Sequence, residues 1–229
     1  MKIIRLYFSL FVMISTVYPQ KEYTVERYEL PDGAIQEDVK RFTGTLPQSA
    51  LHISGLVLDS STFDDVKSVF GQTKSLPQTD DPHEAETICY VASGGSDIYL
   101  SFSAGWPENE TDKLTSFTLS QEKVRYKADK CNPSKMLTTE IATANGLRLG
   151  LTQADVETIL GVPSKRTQTW MIYSYEKYHQ YTKEKQLKYP KAPGGGYYKG
   201  EWSYYDLLAK FSQNKLIFLQ VSVSGETEW

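Results

Sequence analysis

The sequence predicts an α+β fold of two tandem repeats, each a short helical segment packed on an antiparallel β-sheet. Three observations carry that expectation: an internal duplication, a helix with start and stop signals in each copy, and a set of strand-like runs after each helix. The chain has 229 residues, 40% apolar and 13% aromatic, which is enough to build one or two globular cores.

In the first copy Gly55-Leu56-Val57-Leu58 leads into Thr62-Phe63-Asp64-Asp65-Val66-Lys67-Ser68-Val69-Phe70-Gly71. In the second, Gly146-Leu147-Arg148-Leu149 leads into Thr152-Gln153-Ala154-Asp155-Val156-Glu157-Thr158-Ile159-Leu160-Gly161. The helical parts are offset by 90 residues and the Gly-Leu pairs by 91. Thr62 and Thr152 are N-cap candidates, and Asp65 and Asp155 stand where a capping-box acid reaches back to the cap nitrogen. Val66, Val69 and Phe70, like Val156, Ile159 and Leu160, fall at i, i+3, i+4 and form one apolar stripe. Gly71 and Gly161 supply the left-handed stop, and Pro163 prevents the second helix from resuming. Helices this short are marginal alone, so each stripe must be buried against something.

The expected partners are strands: Thr87–Val91, Asp97–Phe102 and Leu114–Leu119 after the first helix, and Trp170–Tyr175, Tyr205–Phe211 and Leu216–Val223 after the second. Alternation directs Ile98, Leu100, Phe102, Ile217, Leu219, Val221 and Val223 toward the helices. It leaves Tyr99, Ser101, Ser116, Thr118, Lys210, Phe218, Gln220 and Ser222 on an opposite face expected to be open for contact. Ser212-Gln213-Asn214-Lys215 is a short hairpin connection.

The motif from Gly146 to Pro163, with its weaker copy from Gly55 to Gly71, resembles the helical signature of the β-lactamase-inhibitor-protein-like superfamily, which also contains the SmpA/OmlA outer-membrane assembly lipoproteins. The resemblance covers about residues 51–125 and 135–225 and implies duplicated helix-on-sheet units with a tendency to bind proteins. The first copy has Asp59-Ser60-Ser61 where the motif has Gly-x and no proline after Gly71. Two departures limit what carries over: no lipid-attachment cysteine follows the N-terminal apolar run, which argues against an assembly-lipoprotein role, and none of the inhibitors' enzyme-contacting loops can be matched residue by residue.

Residues 1–20 read as an export signal: Lys2 and Arg5, then the apolar run Leu6–Ile14, too short to span a bilayer comfortably. Ser15-Thr16-Val17 and Tyr18-Pro19 make a poor cleavage site, so an uncleaved anchor is the alternative. Residues 21–50 form a polar N-terminal leader segment, read either as an extended leader or as a first strand, with Asp38–Phe42 as its only short helical hint. Residues 51–125 and 126–229 are the two repeats, the second with a basic, tyrosine-rich insertion at 177–203. A secreted or periplasmic location makes Cys89 and Cys131, the only cysteines, a disulfide candidate; the alternative is a buried Cys89 with Cys131 free.

Sixteen tyrosines stand against three histidines, and nine of them lie between Tyr173 and Tyr205. From Lys177 to Trp202 there are six lysines and two glutamates. One reading is a protruding basic-aromatic arm that meets an acidic partner; the other is an elongated hairpin whose tyrosines cover their own sheet. The candidate binding residues are Trp106, Tyr173, Tyr175, Tyr178, Tyr181, Tyr197, Tyr198, Trp202 and Phe218.

With 25 basic and 28 acidic side chains the chain has no global positive field for nucleic acid. Pro193-Gly194-Gly195-Gly196 lacks the lysine-serine and strand-loop-helix frame of a phosphate loop. His83-Glu84 has no second histidine at zinc-binding spacing, and Asn109-Glu110-Thr111 matches a glycosylation sequon. No nucleophile, base and orienting group form a constellation. The expectation is a non-catalytic protein-binding module without cofactor or metal, touching a membrane only through an uncleaved N-terminus. The alternative is an N-terminally anchored envelope structural or assembly accessory.

Overall fold

The computed structural model describes residues 23–31, 33–77, 86–105, 113–122, 130–188, 191 and 195–228, and of residues 23–28 the backbone alone. The export signal, Trp106, the His83-Glu84 loop and the sequon at Asn109 lie outside these residues.

Both expected helices form. In α1 (Phe63–Phe70) the Thr62 hydroxyl accepts from the Asp65 amide while the Asp65 carboxylate accepts from the Thr62 amide at 2.8 Å. In α2 (Gln153–Leu160) Thr152 and Asp155 repeat the exchange, with the carboxylate 2.9 Å from the Thr152 amide. Each box closes two otherwise orphaned donors, and a cap of this kind contributes about 1 kcal/mol. Gly71 and Gly161 end the helices at φ 102° and 83°, a region where any Cβ is strained.

Their apolar stripes share one core with an 11-stranded mixed sheet, giving an α+β fold with few helices. The sheet order is β1 (Tyr23–Glu29), β2 (Ile35–Thr43), β11 (Trp170–Gln180), β12 (Gly200–Ser212), β13 (Lys215–Glu228), β8 (Leu114–Ser120), β7 (Tyr99–Ala104), β6 (Glu86–Ala92), β5 (Leu76–Pro77). Short strands β9 (Asn132–Ser134) and β10 (Lys165–Arg166) attach beside β6 and β11, and β3 (His52–Ile53) pairs β4 (Leu56–Val57) separately. A third helix, α3 (Lys183–Lys188), connects β11 to β12. The strands after the two long helices meet at the centre, where β8 and β13 pair antiparallel from Ser116↔Ser222 to Ser120↔Phe218.

One strand departs from simple alternation. A bulge after Lys210 pairs Phe211 with Leu216, so Leu216 enters the core and Ile217, expected there, is left half-buried. Gln213 and Asn214, at φ 49° and 58°, make the left-handed two-residue turn that matches the strands' twist.

Residues 23–43 take the strand alternative rather than an extended leader, and the helical hint is corrected. The leader is a β-hairpin joined to the sheet edge, and Asp38–Phe42 is strand rather than helix. Asp38 takes φ 56° where the register slips between Glu26 and Tyr28, a bulge that bends the hairpin. The bent hairpin lays Leu30 and Val39 over Trp170, Ile172, Leu208 and Phe218, a second core on the sheet's far face. Phe218, expected on an open contact surface, is 5% exposed and packs edge-on to Trp170 at 5.7 Å. Tyr99 and Ser101 of the same expected surface are also buried.

Cys89 and Cys131 form a disulfide, with Cα atoms 4.6 Å apart across a separation of 42 residues. It clamps β9 beside β6, where Tyr90 pairs with Asn132. No helix among the described residues is long and apolar enough to cross a membrane.

Candidate functional site

Beyond Glu176 the sheet narrows. β8 stops pairing with β13 at Ser222, and β2 stops pairing with β11 at Glu176, whereas β11, β12 and β13 continue together to Gln180↔Gly200 and Gly200↔Glu228. Among the described residues this leaves a three-stranded ribbon standing clear of the body. Pleating puts Glu176, Tyr178, Trp202, Tyr204, Ser224 and Glu226 on its far face.

Tyr178 and Trp202 are directly opposed, with ring centroids 4.9 Å apart. The Tyr178 ring also lies over Gly200, and its hydroxyl bonds to the Glu228 carboxylate. Loss of hydration and that carboxylate together raise the Tyr178 phenol above its ordinary range. One pair closer to the body, the Arg41 guanidinium sits 4.6 Å above the Tyr204 ring, whose hydroxyl donates to Glu226 at 3.4 Å. Burial foremost, then Glu226, raises Tyr204 as well, while Arg41 opposes the shift. The result is a row of half-buried rings whose polar tips are tied to charged neighbours. Such groups offer rigid amphipathic area at small entropic cost.

The other expected site residues divide. Tyr173 is fully buried and donates its hydroxyl to the Gly161 carbonyl at 3.1 Å, as Tyr90 does to Gly71 at 2.8 Å. Tyr181, 4% exposed, donates to Glu201 at 2.5 Å beneath the Lys185 ammonium, which lies 3.9 Å from its ring. Tyr173, Tyr181 and Phe218 therefore support the fold and present no surface to a partner. Tyr175 packs on Phe42 at 5.9 Å and is half-buried against the main core. Tyr198 is half-buried, and Tyr197 is 46% exposed with Lys191 beside its ring.

Arg41, Tyr204 and Gly200 were missed by sequence reasoning. Arg41 meets Tyr204 only because the bent hairpin folds back, a contact across most of the chain that no local pattern announces. Gly200 carried a weak signal, a glycine one turn of the pleat from a tryptophan in a tyrosine-rich strand. Among the described residues no three His, Cys, Asp or Glu side chains gather where they could hold a metal.

Comparison with known proteins found no matching family, no matching curated protein and no matching solved structure.

Proposed function

We propose that this chain is an exported, non-catalytic protein-binding module, built by tandem duplication, that holds its partner against the aromatic far face of the ribbon. The observation that carries the reading is the row Tyr178, Trp202 and Tyr204 on strands that extend past their neighbours, with Arg41 of β2 laid over the Tyr204 ring. Aromatic and arginine side chains in that setting are the residue types that dominate binding energy at interfaces. The rest of the far face is less suited, since the hairpin and its core occupy much of it.

Duplication is supported by paired details: a Thr-Asp capping box at each long helix, a tyrosine tied to each helix-ending glycine, and antiparallel pairing of the last strand in each copy. These agree with the resemblance to the β-lactamase-inhibitor-protein-like superfamily, whose members bind proteins with duplicated units. The Cys89–Cys131 disulfide is compatible with an oxidising compartment, as export requires.

The test is capture from the native envelope or secreted fraction with the wild-type chain and with Trp202→Ala and Tyr204→Ala, after thermal melts show each variant folded. A partner retained by wild type should be lost or weakened at least tenfold, since a buried aromatic anchor contributes about 2 kcal/mol or more. Equal recovery with all three proteins would overturn the reading.

A further inference from the structure

The path of the chain places Tyr23, the first described residue, and the ribbon tip at the same end of the sheet. Tyr23 pairs with Phe42, and Phe42 pairs in parallel with Tyr175, so the chain enters the sheet at the level where the ribbon departs. β11 then runs five residues further to Gln180, about 17 Å at strand rise. The residues before Tyr23 include the apolar run Leu6–Ile14 behind Lys2 and Arg5.

The tip has the chemistry of an interfacial surface. α3 exposes Leu187 at 70%, and Tyr197 follows at 46%; these are two of the five large apolar side chains exposed among the described residues. Around them stand Lys183, Lys188 and Lys191. The Lys188–Glu184 contact at 3.4 Å joins two side chains exposed beyond 70%, so it holds the ammonium only weakly. Residues 177–202 carry six lysines against two glutamates, and Glu226 and Glu228 of β13 lie beside them, so the ribbon end nets +2 while the whole chain nets −3 and the remainder −5. That separation turns the tip toward an anionic surface and the body away from it.

We propose that the ribbon tip docks on an anionic lipid surface, with Lys183, Lys188 and Lys191 at the headgroups and Leu187 and Tyr197 in the interface. The sheet then stands end-on, with its aromatic far face at right angles to the bilayer and free for a partner. An acidic protein would satisfy the lysines equally. The coincidence of the tip with the entry point of the apolar segment is what selects a membrane. Each lysine near an anionic leaflet strengthens partitioning about fivefold, and two weak signals at one end are the usual requirement for stable attachment.

The test uses residues 21–229, which contain every described element, so that the apolar run cannot insert by itself. The probe is vesicles of phosphatidylcholine with about a quarter phosphatidylglycerol, against phosphatidylcholine alone. Wild type should co-float with the anionic vesicles at low salt, be released by salt near 1 M, where the screening length falls to about 3 Å, and ignore the neutral vesicles. Lys183→Glu/Lys188→Glu/Lys191→Glu, all at exposed positions, should melt like wild type and bind on the order of a hundredfold more weakly. Equal binding to both vesicle types, or undiminished binding by the triple variant, overturns the proposal. So does an absence of vesicle binding combined with lysine-dependent capture of an acidic protein. Trp202→Ala serves as the control that separates this result from the partner reading, because it should leave vesicle binding intact.

Discussion

Tyr178 lies across Gly200, so closely that a Cβ added to the glycine would stand 2.5 Å from the ring carbon Cζ and 2.7 Å from the His179 carbonyl oxygen. The tyrosine covers backbone that a glycine in a strand otherwise leaves to water, and it gains a flat shelf from which to stack on Trp202.

Gly200→Ala should therefore lower stability by about 1 to 3 kcal/mol, the ordinary cost of overpacking. The ring can swing aside but the His179 carbonyl cannot, so the change should also weaken the Tyr178–Trp202 stack. Near-ultraviolet circular dichroism together with a thermal melt reads both effects. An alanine variant with an unchanged melt and an unchanged aromatic signal would show that the shelf is dispensable.

The two phenols that tie the sheet to the helix ends make stability depend on alkaline pH. Burial pushes Tyr90 up to about 12 and raises Tyr173 as well, the latter with help from Glu157, against an unfolded value of 10.0. Only the protonated phenol can donate to Gly71 or Gly161, so the folded chain holds protons that the unfolded chain has released. The stabilisation is complete below pH 10 and is lost as pH rises through the folded-state values. Denaturant melts should show a decline beginning near pH 10 and continuing through about pH 12. Tyr90→Phe and Tyr173→Phe should each cost about 1 kcal/mol at neutral pH and each flatten the alkaline decline.

The caps, the hairpin turn and most strand positions were legible in the sequence because each depends on residues a few positions apart. Thr62 finds Asp65 and Gln213 precedes Asn214 whatever the rest of the chain does. The far face was not legible. Alternation places Phe218 on that face correctly, but its burial depends on Leu30 and Val39, which arrive from the other end of the chain through a bulge at Asp38. The tyrosines failed as site markers for a related reason: residue type alone does not distinguish Tyr173, spent on a helix end, from Tyr178, standing on the ribbon. The expectation narrowed the candidate site to one region, since Tyr178, Tyr197 and Trp202 all lie in the stretch that the expected repeat leaves unmatched.

The disulfide joins cysteines 42 residues apart, and in the chain-entropy account a loop of that length stabilises by about 4 kcal/mol. Cys89→Ala/Cys131→Ala should lose most of that stability. The first amides to lose hydrogen-exchange protection should be those of β9, which is only three residues long and, among the described residues, pairs with β6 alone. If β9 stays protected in the double variant, the pairing beside β6 is sufficient without the covalent clamp.

The hairpin of residues 23–43 offers the sharpest test of the fold, since the sequence left an extended leader and a first strand both open there. Leu30 is buried at the hairpin turn and Val39 is buried on its second strand, and both rest on Trp170, Ile172, Leu208 and Phe218. A leader lying loosely on the surface would tolerate Leu30→Ala without effect. A hairpin that closes a core should lose on the order of 2 to 5 kcal/mol, the cost of a buried leucine truncated to alanine. The damage should be local before it is global. Amides of β1 and β2 should exchange early, and the newly uncovered Trp170–Phe218 patch should bind a hydrophobic dye while the strands around Leu100 and Phe117 remain protected. Dye binding would then rise with Leu30→Ala but not with an exposed control in the same hairpin, Ile35→Ala, whose side chain is 49% exposed. Equal behaviour of the two variants would remove the hairpin from the core and return the far face to solvent.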